Sequence, residues 1–312
     1  MNKLYLLFLS EVSSIDLKNK INDNFYVFTD INELRNEDFS NISIIWTHLN
    51  YKIDRSFINN FPNVKYVVSP ATGVNHIDVE YLNFLKIKLI TLRGEQFFLK
   101  RITATAEHTW SIFLALQKNT IRAHYSIVNK YNFDRNDFDS PQLSGKTIGI
   151  IGYGRIGKII AQYALSFKMN VFVNDILEVK PNKRVGYLSL ENLLNSSDYV
   201  FLTASYSKEY FNFFDINKFN LMKSSSLFVN TSRGELVNES DLIYALKNNI
   251  ISGAALDVFN NELFFDCNSN ELVNYARNNS NLILTPHIGG RSSEALDLVE
   301  HYLLNKLKKL IH

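Results

Sequence analysis

This sequence has a single cysteine, a small net charge and no long apolar run. Because Cys267 is its single cysteine, the chain cannot form an internal disulfide or a zinc site built from cysteines, and a reducing compartment is expected. The 33 basic and 31 acidic side chains give a formal charge of +2. With no block of basic residues to neutralise a run of phosphates, no nucleic-acid partner is expected. No apolar stretch approaches the roughly 18 residues of a membrane-spanning helix, so no membrane partner is expected.

The N-terminal apolar run, at residues 4–9, is too short for a signal peptide, and no small-residue cleavage site follows it. We therefore predict a buried strand there and a cytoplasmic protein. The hydrophobic fraction of 46% over 312 residues is that of an ordinary folded protein. At about 150 residues per domain, this length predicts two domains, each large enough to bury its own core.

Short apolar, β-rich runs alternate with helix-compatible segments along the chain. Their apolar residues are continuous rather than alternating, which indicates burial on both faces and therefore parallel sheets covered by helices. The predicted strands lie at residues 4–9, 25–28, 42–46, 64–69, 87–91, 147–151, 171–174, 199–203, 226–230, 252–258 and 282–285. The sequence therefore predicts an α/β protein with doubly wound sheets.

A glycine motif, G-x-G-x-x-G, lies between the predicted strand at 147–151 and a predicted helix at 157–167. Gly152 would permit the tight turn, Gly154 would let the backbone approach a pyrophosphate, and Gly157 would let helix and strand pack closely. A phosphate would then lie at the helix N-terminus. The alternative is a glycine turn that serves only compact packing. On balance the motif predicts a dinucleotide site.

Asp175 follows the next strand, where an acidic side chain would accept hydrogen bonds from both hydroxyls of an adenosine ribose. The same carboxylate would repel the extra phosphate of NADP. No arginine comes directly after it to accommodate that phosphate, because the next residues are Ile176 and Leu177. We therefore predict NAD as the cofactor.

Three charged residues follow three later strands of the same predicted sheet, where ligands bind in open α/β folds. They are Arg233, Glu262 and His287. Moving a hydride between nicotinamide and a 2-oxo carbon requires a proton donor for the oxygen, and histidine suits that role. A carboxylate at Glu262 would orient the imidazole and favour its charged form. The guanidinium of Arg233 would bind a carboxylate and polarise the carbonyl, so no metal is expected.

The segments around these residues resemble the D-isomer-specific 2-hydroxyacid dehydrogenases, of the phosphoglycerate dehydrogenase-like type. They are GKTIGIIGYGRIG, NTSRGELVN, GAALDVFNNEL and LTPHIGG. By this resemblance Arg155 and Ile156 would lie at the pyrophosphate. Thr203 and Thr231 would lie near the nicotinamide half, and Asp257 would lie at the carboxamide.

The resemblance also implies a substrate-binding loop in the first domain, PATGVNHID, with the backbone of Thr72 and Gly73 at the substrate carboxylate. The sequence departs from the family at several positions, including Ser205 in place of a proline and Arg101 in place of an asparagine. Arg101 would suit an acid with a second anionic group. The alternative is that Arg101 belongs to a solvated loop.

Together these features predict a Rossmann NAD-binding domain at residues 103–288, inserted into a discontinuous, flavodoxin-like substrate domain. The latter would comprise residues 1–102 plus 289–312, the last helix packing back on the first domain. The expected reaction interconverts a small D-2-hydroxy acid and its 2-oxo acid, and the family resemblance implies a homodimer. Two alternatives stay open: a catalytically silent NAD-sensing binding protein of the same fold, and a dehydrogenase for another small anion such as formate or phosphite.

Overall fold

The computed structural model describes residues 3–10, 14–177 and 183–311. Within these ranges the chain divides into two compact units, which are formed by Met1–Ile102 with Arg291–His312 and by Thr103–Gly290. The strands are β1 (Leu4–Leu9), β2 (Phe25–Phe28), β3 (Ile42–Thr47), β4 (Tyr66–Val68), β5 (Lys88–Ile90), β6 (Thr147–Ile151), β7 (Asn170–Asn174), β8 (Val185–Tyr187), β9 (Tyr199–Leu202), β10 (Leu227–Asn230), β11 (Gly253–Leu256) and β12 (Leu282–Leu284).

Helices connect most of these strands, and short 3-10 turns occur between them. The helices are α1 (Ile15–Asn24), α2 (Asn36–Asn41), α3 (Arg55–Ile58), α4 (Val79–Phe84), α5 (Gln96–Leu99), α6 (Ala104–Gln117), α7 (Thr120–Lys130), α8 (Arg155–Ser166), α9 (Leu190–Ser196), α10 (Ile216–Asn220), α11 (Glu239–Lys247), α12 (Glu271–Asn278) and α13 (Ser293–Ile311). In the described ranges, no helix has the length and apolar character needed to cross a membrane.

The first unit contains a parallel sheet with strand order β2-β1-β3-β4-β5, the doubly wound order of flavodoxin-like folds. Every residue of β3 is buried, as the continuous apolar sequence ISIIWT predicts for a strand covered on both faces. The last helix, α13, contacts α1 and β5 of this unit. Its leucines at positions 303, 304 and 307 are buried in that packing.

The second unit contains a parallel sheet with strand order β12-β11-β10-β9-β6-β7-β8. Its strands are buried on both faces: along β9, Tyr199 and Phe201 join one apolar cluster, whereas Val200 and Leu202 join another. The chain order reverses between β6 and β9, and ligands of open α/β sheets bind at such a point, beyond the carboxyl ends of the strands. The predicted α/β fold with two parallel sheets is confirmed.

Candidate active site

The glycine turn after β6 is fixed by contacts within the fold. Gly152 has a φ of +92°, and a Cβ atom there would lie 2.6 Å from both the N and Cα atoms of Ala204. The hydroxyl of Thr203 donates to the Gly152 carbonyl oxygen at 2.6 Å. A Cβ at Gly157 would lie 2.3 Å from that same oxygen. The first and third glycines are therefore required by the turn and by the packing of α8 against it.

The second glycine of the motif, Gly154, differs from the other two, because no packing contact requires a glycine at this position. Gly154 is exposed at the N-terminus of α8, and a Cβ there would meet no atom within 4 Å. A glycine in open space at a helix N-terminus fits the close approach of a phosphate. This turn is therefore suited to hold the pyrophosphate of a dinucleotide.

The carboxylate of Asp175 lies directly beside this turn. One of its oxygens accepts from the backbone N–H of Tyr153 at 2.6 Å, and the other accepts from the backbone N–H of Leu177 at 2.9 Å. These bonds hold the acid at the end of β7, next to the glycine turn. Its proposed contact with a ribose stays a prediction.

Two other predicted cofactor residues are half-buried in the first turn of α8, namely Arg155 and Ile156. Burial lowers the pKa of Arg155. Thr231 lies just beyond β10, and its hydroxyl is 2.7 Å from that of Thr109 on α6. Because Thr109 also donates to the carbonyl of Thr105, the hydroxyl of Thr231 is the donor between the two.

The three charged candidates follow neighbouring strands of the second sheet: Arg233 comes after β10, Glu262 after β11 and His287 after β12. The Nδ1 atom of His287 is 2.5 Å from Oε2 of Glu262. The other carboxylate oxygen of Glu262 accepts from the backbone N–H of Phe259 at 2.9 Å. The structure therefore brings the histidine and the glutamate into direct contact, with Nε2 of the imidazole left to act on a ligand.

Arg233 is half-buried, and its Nη1 donates to the carbonyl oxygen of Ser232 at 2.6 Å. Burial lowers the pKa of this guanidinium, and the nearby carboxylates of Glu262 and Glu235 partly oppose that change. A guanidinium held in a partly desolvated place attracts an anion more strongly than one in bulk water. The position is therefore suited to binding a carboxylate.

Asp257 anchors the segment that carries His287. Its carboxylate accepts from the hydroxyl of Thr285 at 2.6 Å, from the N–H of Ile288 at 2.9 Å and from the N–H of Gly289 at 2.8 Å. His287 itself has a φ of +50°, a left-handed conformation that few non-glycine residues adopt. The hydrogen bonds on both sides of the histidine stabilise this strained backbone.

A second histidine, His108 on α6, completes the network, and sequence reasoning did not single it out. Its Nε2 lies 3.1 Å from Oδ1 of Asp257 and 3.0 Å from Oγ1 of Thr285. Burial by itself would raise the pKa of Asp257, which is only 1% exposed, but the four hydrogen bonds outweigh this effect and hold the pKa below its ordinary value. The acid therefore has its polar partners within the protein, and its expected contact with a carboxamide stays a prediction.

The predicted substrate residues lie in the first unit. Exposed Thr72 and half-buried Gly73 are in the loop that follows β4, and Arg101 is exposed after α5. Their role in binding a substrate stays a prediction.

Comparison with known proteins extends these observations. Residues 110–289 match the family model described as "D-isomer specific 2-hydroxyacid dehydrogenase, NAD binding domain". A protein of Staphylococcus epidermidis, named "Putative 2-hydroxyacid dehydrogenase", is 32% identical over 268 residues, which cover 84% of this chain and 81% of that protein. A Staphylococcus haemolyticus protein of the same description is 31% identical over 282 residues, covering 88% and 84% of the two chains.

Solved structures share the fold across nearly the whole chain. D-Lactate dehydrogenase from Aquifex aeolicus, complexed with NAD and lactic acid, superimposes with a TM-score of 0.86 at 24% identity, covering 98% of this chain and 95% of that one. An acyclic imino acid reductase in complex with NADPH and D-Arg gives 0.81 at 24% identity, with 99% and 97% coverage. The chain belongs to the D-isomer specific 2-hydroxyacid dehydrogenase family of oxidoreductases, and residues 110–289 match the cofactor-binding domain of that family.

Proposed function

We propose that this protein is an NAD-dependent dehydrogenase that interconverts a small D-2-hydroxy acid and its 2-oxo acid. The observation that carries the proposal is the 2.5 Å contact between His287 and Glu262, next to the partly desolvated Arg233. These groups follow strands of the sheet whose β6 ends in the glycine turn. A proton donor and an anion-binding cation are what reduction of a 2-oxo acid requires from a protein.

Each of the three residues has a defined part in this proposed reaction. In the reducing direction His287 donates a proton from Nε2 to the substrate oxygen, and Glu262 stabilises the charged imidazole and fixes its orientation. Arg233 binds the substrate carboxylate and polarises the carbonyl. A bound nicotinamide supplies or accepts the hydride. In the oxidising direction His287 takes the proton back.

We propose NAD rather than NADP as the cofactor because of Asp175. Its carboxylate is held beside the glycine turn by two backbone N–H groups, so a ligand phosphate at this place would meet a fixed negative charge. The exposed Ile176 and Leu177 that follow it offer no cation to offset that repulsion.

The test is a panel of 2-oxo acids with NADH and NADPH, followed by absorbance at 340 nm, with chiral analysis of the product. Hydroxypyruvate, glyoxylate, pyruvate, phosphohydroxypyruvate and 2-oxoglutarate cover small, charged and phosphorylated substrates. We expect turnover of at least one acid with NADH and formation of the D-product. If NADH binds but no acid is reduced, the protein is instead an NAD-sensing binding protein. If no 2-oxo acid is reduced but formate or phosphite, supplied with NAD⁺ in a separate assay, is oxidised and NADH is formed, the proposed substrate class is wrong.

We also propose that exposed Arg101, with Arg93 and Lys100 nearby in sequence, favours acids that carry a second anionic group. R101A should then raise KM for phosphohydroxypyruvate by about tenfold, as expected for one lost charged contact, and leave KM for pyruvate unchanged. If R101A and the wild type have the same KM for every acid tested, Arg101 belongs to a solvated loop.

A homodimer is the fourth part of the proposal. Helix α7 and the residues that follow it expose large apolar side chains: Tyr131 is 92% exposed and Phe133 84% exposed, and Ile121, Tyr125 and Val128 are each more than half exposed. Such a surface favours burial against a partner. Light scattering should give twice the mass of the 36.0 kDa chain, and Y131D should lower that mass to one chain. A wild-type protein with the mass of one chain would contradict this.

A further inference from the structure

A peptide bond in the loop that carries Glu262 is held from two sides. A Cβ atom at Gly234 would lie 1.9 Å from the carbonyl carbon of Phe259 and 2.3 Å from the N atom of Asn260, so the two backbones are in close contact. From the other side, Oε1 of Glu239 accepts from the N–H of Asn260 at 2.6 Å. Gly234 directly follows Arg233, so this contact joins the segment of the arginine to that of the glutamate.

The held peptide bond, between Phe259 and Asn260, ends two residues before Glu262. Asn261, between them, has a φ of +58°, and the carboxylate of Glu262 turns back to accept from the N–H of Phe259. Two consecutive backbone N–H groups therefore bind two different carboxylates, those of Glu262 and Glu239. Release of the Asn260 N–H would leave the strained turn at Asn261 without this restraint, and the position of Glu262 depends on that turn.

The carboxylate of Glu239 lies in surroundings that disfavour its charge. This half-buried carboxyl is the first residue of α11, and burial raises its pKa, which the carboxylates of Glu262 and Glu235 raise further. The guanidinium of Arg233 supplies positive charge to two of these acids, Glu262 and Glu235. A half-buried acid beside two others is retained at a cost, which the bond to Asn260 and the N-terminal end of α11 offset.

We propose that Glu239 is a positioning residue that fixes Glu262, and through it His287, by holding the peptide of Asn260 against Gly234. This inference rests on the proposed function, because the task of the held glutamate is to orient the proton donor. Glu239 acts through the backbone N–H of Asn260. Its proposed role therefore requires only an oxygen atom that can accept this hydrogen bond.

Three single variants test the proposal. E239A removes the acceptor and should lower kcat for 2-oxo acid reduction by at least tenfold, with KM for NADH changed less than twofold. E239Q keeps an acceptor oxygen and should stay within about threefold of the wild-type kcat. The matched control is E271A, because Glu271 is also the first residue of a helix that has an asparagine N-cap, but it is exposed. It should leave kcat unchanged.

A double variant separates positioning from general destabilisation. If Glu239 acts only through Glu262, E239A/E262Q should be no slower than E262Q alone. Rate losses that multiply in the double variant, or an E239A kcat equal to that of E271A, would overturn the proposal.

Hydrogen exchange of the Asn260 amide, followed by NMR, tests the contact with Glu239 independently of any enzymatic activity. The amide should exchange at least tenfold faster in E239A than in the wild type, even if no 2-oxo acid is reduced and the proposed function fails. If E239A does not fold, E239D, which withdraws the carboxylate by one methylene, should show the same faster exchange. Unchanged exchange in a folded variant would refute the contact.

Discussion

Alanine at Gly154 should separate cofactor binding from stability, and alanine at Gly152 should not. At Gly154 the new methyl group would enter open space at a φ of −75°. Loss of a helix N-cap glycine costs up to about 1 kcal/mol, and the lower entropy of the unfolded chain returns about 0.4–1 kcal/mol. The free energy of unfolding of G154A should therefore stay within about 1 kcal/mol of the wild-type value.

The same methyl group would stand where a pyrophosphate approaches the N-terminus of α8. Loss of one charge-assisted hydrogen bond costs about 1.5–3 kcal/mol, which corresponds to a Kd for NADH raised about 10–100-fold. In G152A, by contrast, a positive φ costs about 1–2 kcal/mol, and contact at 2.6 Å with the backbone of Ala204 forces a shift that costs about 1–3 kcal/mol more. The thermal midpoint of G152A should fall by about 5–20 °C.

Fluorescence titration with NADH and a thermal unfolding scan on the same samples measure both quantities. A G154A protein that keeps its thermal midpoint and binds NADH with the wild-type Kd would refute the placement of the pyrophosphate at this glycine. A G152A protein with an unchanged midpoint would refute the account of the turn.

Three other predictions concern single side chains. D175A should raise the Kd for NADH and lower the Kd for NADPH, as measured by titration with each cofactor. A ratio of the two Kd values equal to that of the wild type would contradict the role of Asp175. Burial raises the pKa of Tyr199 to about 12, with a further contribution from Asp198, so the stability due to the neutral phenol is present below pH 10 and is lost as pH rises towards 12. Y199F should therefore lose less of its thermal midpoint than the wild type between pH 9 and pH 11, and an equal loss would count against that cause. D257A leaves the N–H groups of Ile288 and Gly289 without an acceptor, so its free energy of unfolding in urea should fall by about 2–5 kcal/mol; a change below 1 kcal/mol would show that water replaces the carboxylate.

Most strands could be predicted from the sequence because their apolar runs are continuous. The predicted bounds at 4–9, 25–28 and 147–151 agree with β1, β2 and β6 residue for residue. The prediction missed β8, because three residues, VGY, at the edge of a sheet carry no distinctive pattern. Sequence also gave no sign of α3, a single helical turn capped by Asp54.

The candidate site was predictable where a residue type and its place after a strand both indicate chemistry, as for His287 and Glu262. Contacts that join distant segments were not. Nothing in the sequence pairs His108 with Asp257, which is 149 residues away. Glu239 follows Asn238 in a pattern typical of a helix start, which explains an acidic residue there without its bond to Asn260. Such pairings depend on tertiary packing, which single-sequence patterns do not specify.

The proposed reaction depends on His287, held by Glu262, to donate the proton when a 2-oxo acid is reduced. The most direct test compares wild type and H287A in a stopped-flow experiment, in which enzyme saturated with NADH is mixed with the best 2-oxo acid and absorbance is followed at 340 nm. We predict that H287A binds NADH with a Kd within about twofold of the wild type and oxidises it about 10²–10⁴-fold more slowly, the range typical of a lost general acid. Oxidation of NADH at the wild-type rate in H287A would show that His287 is not the proton donor.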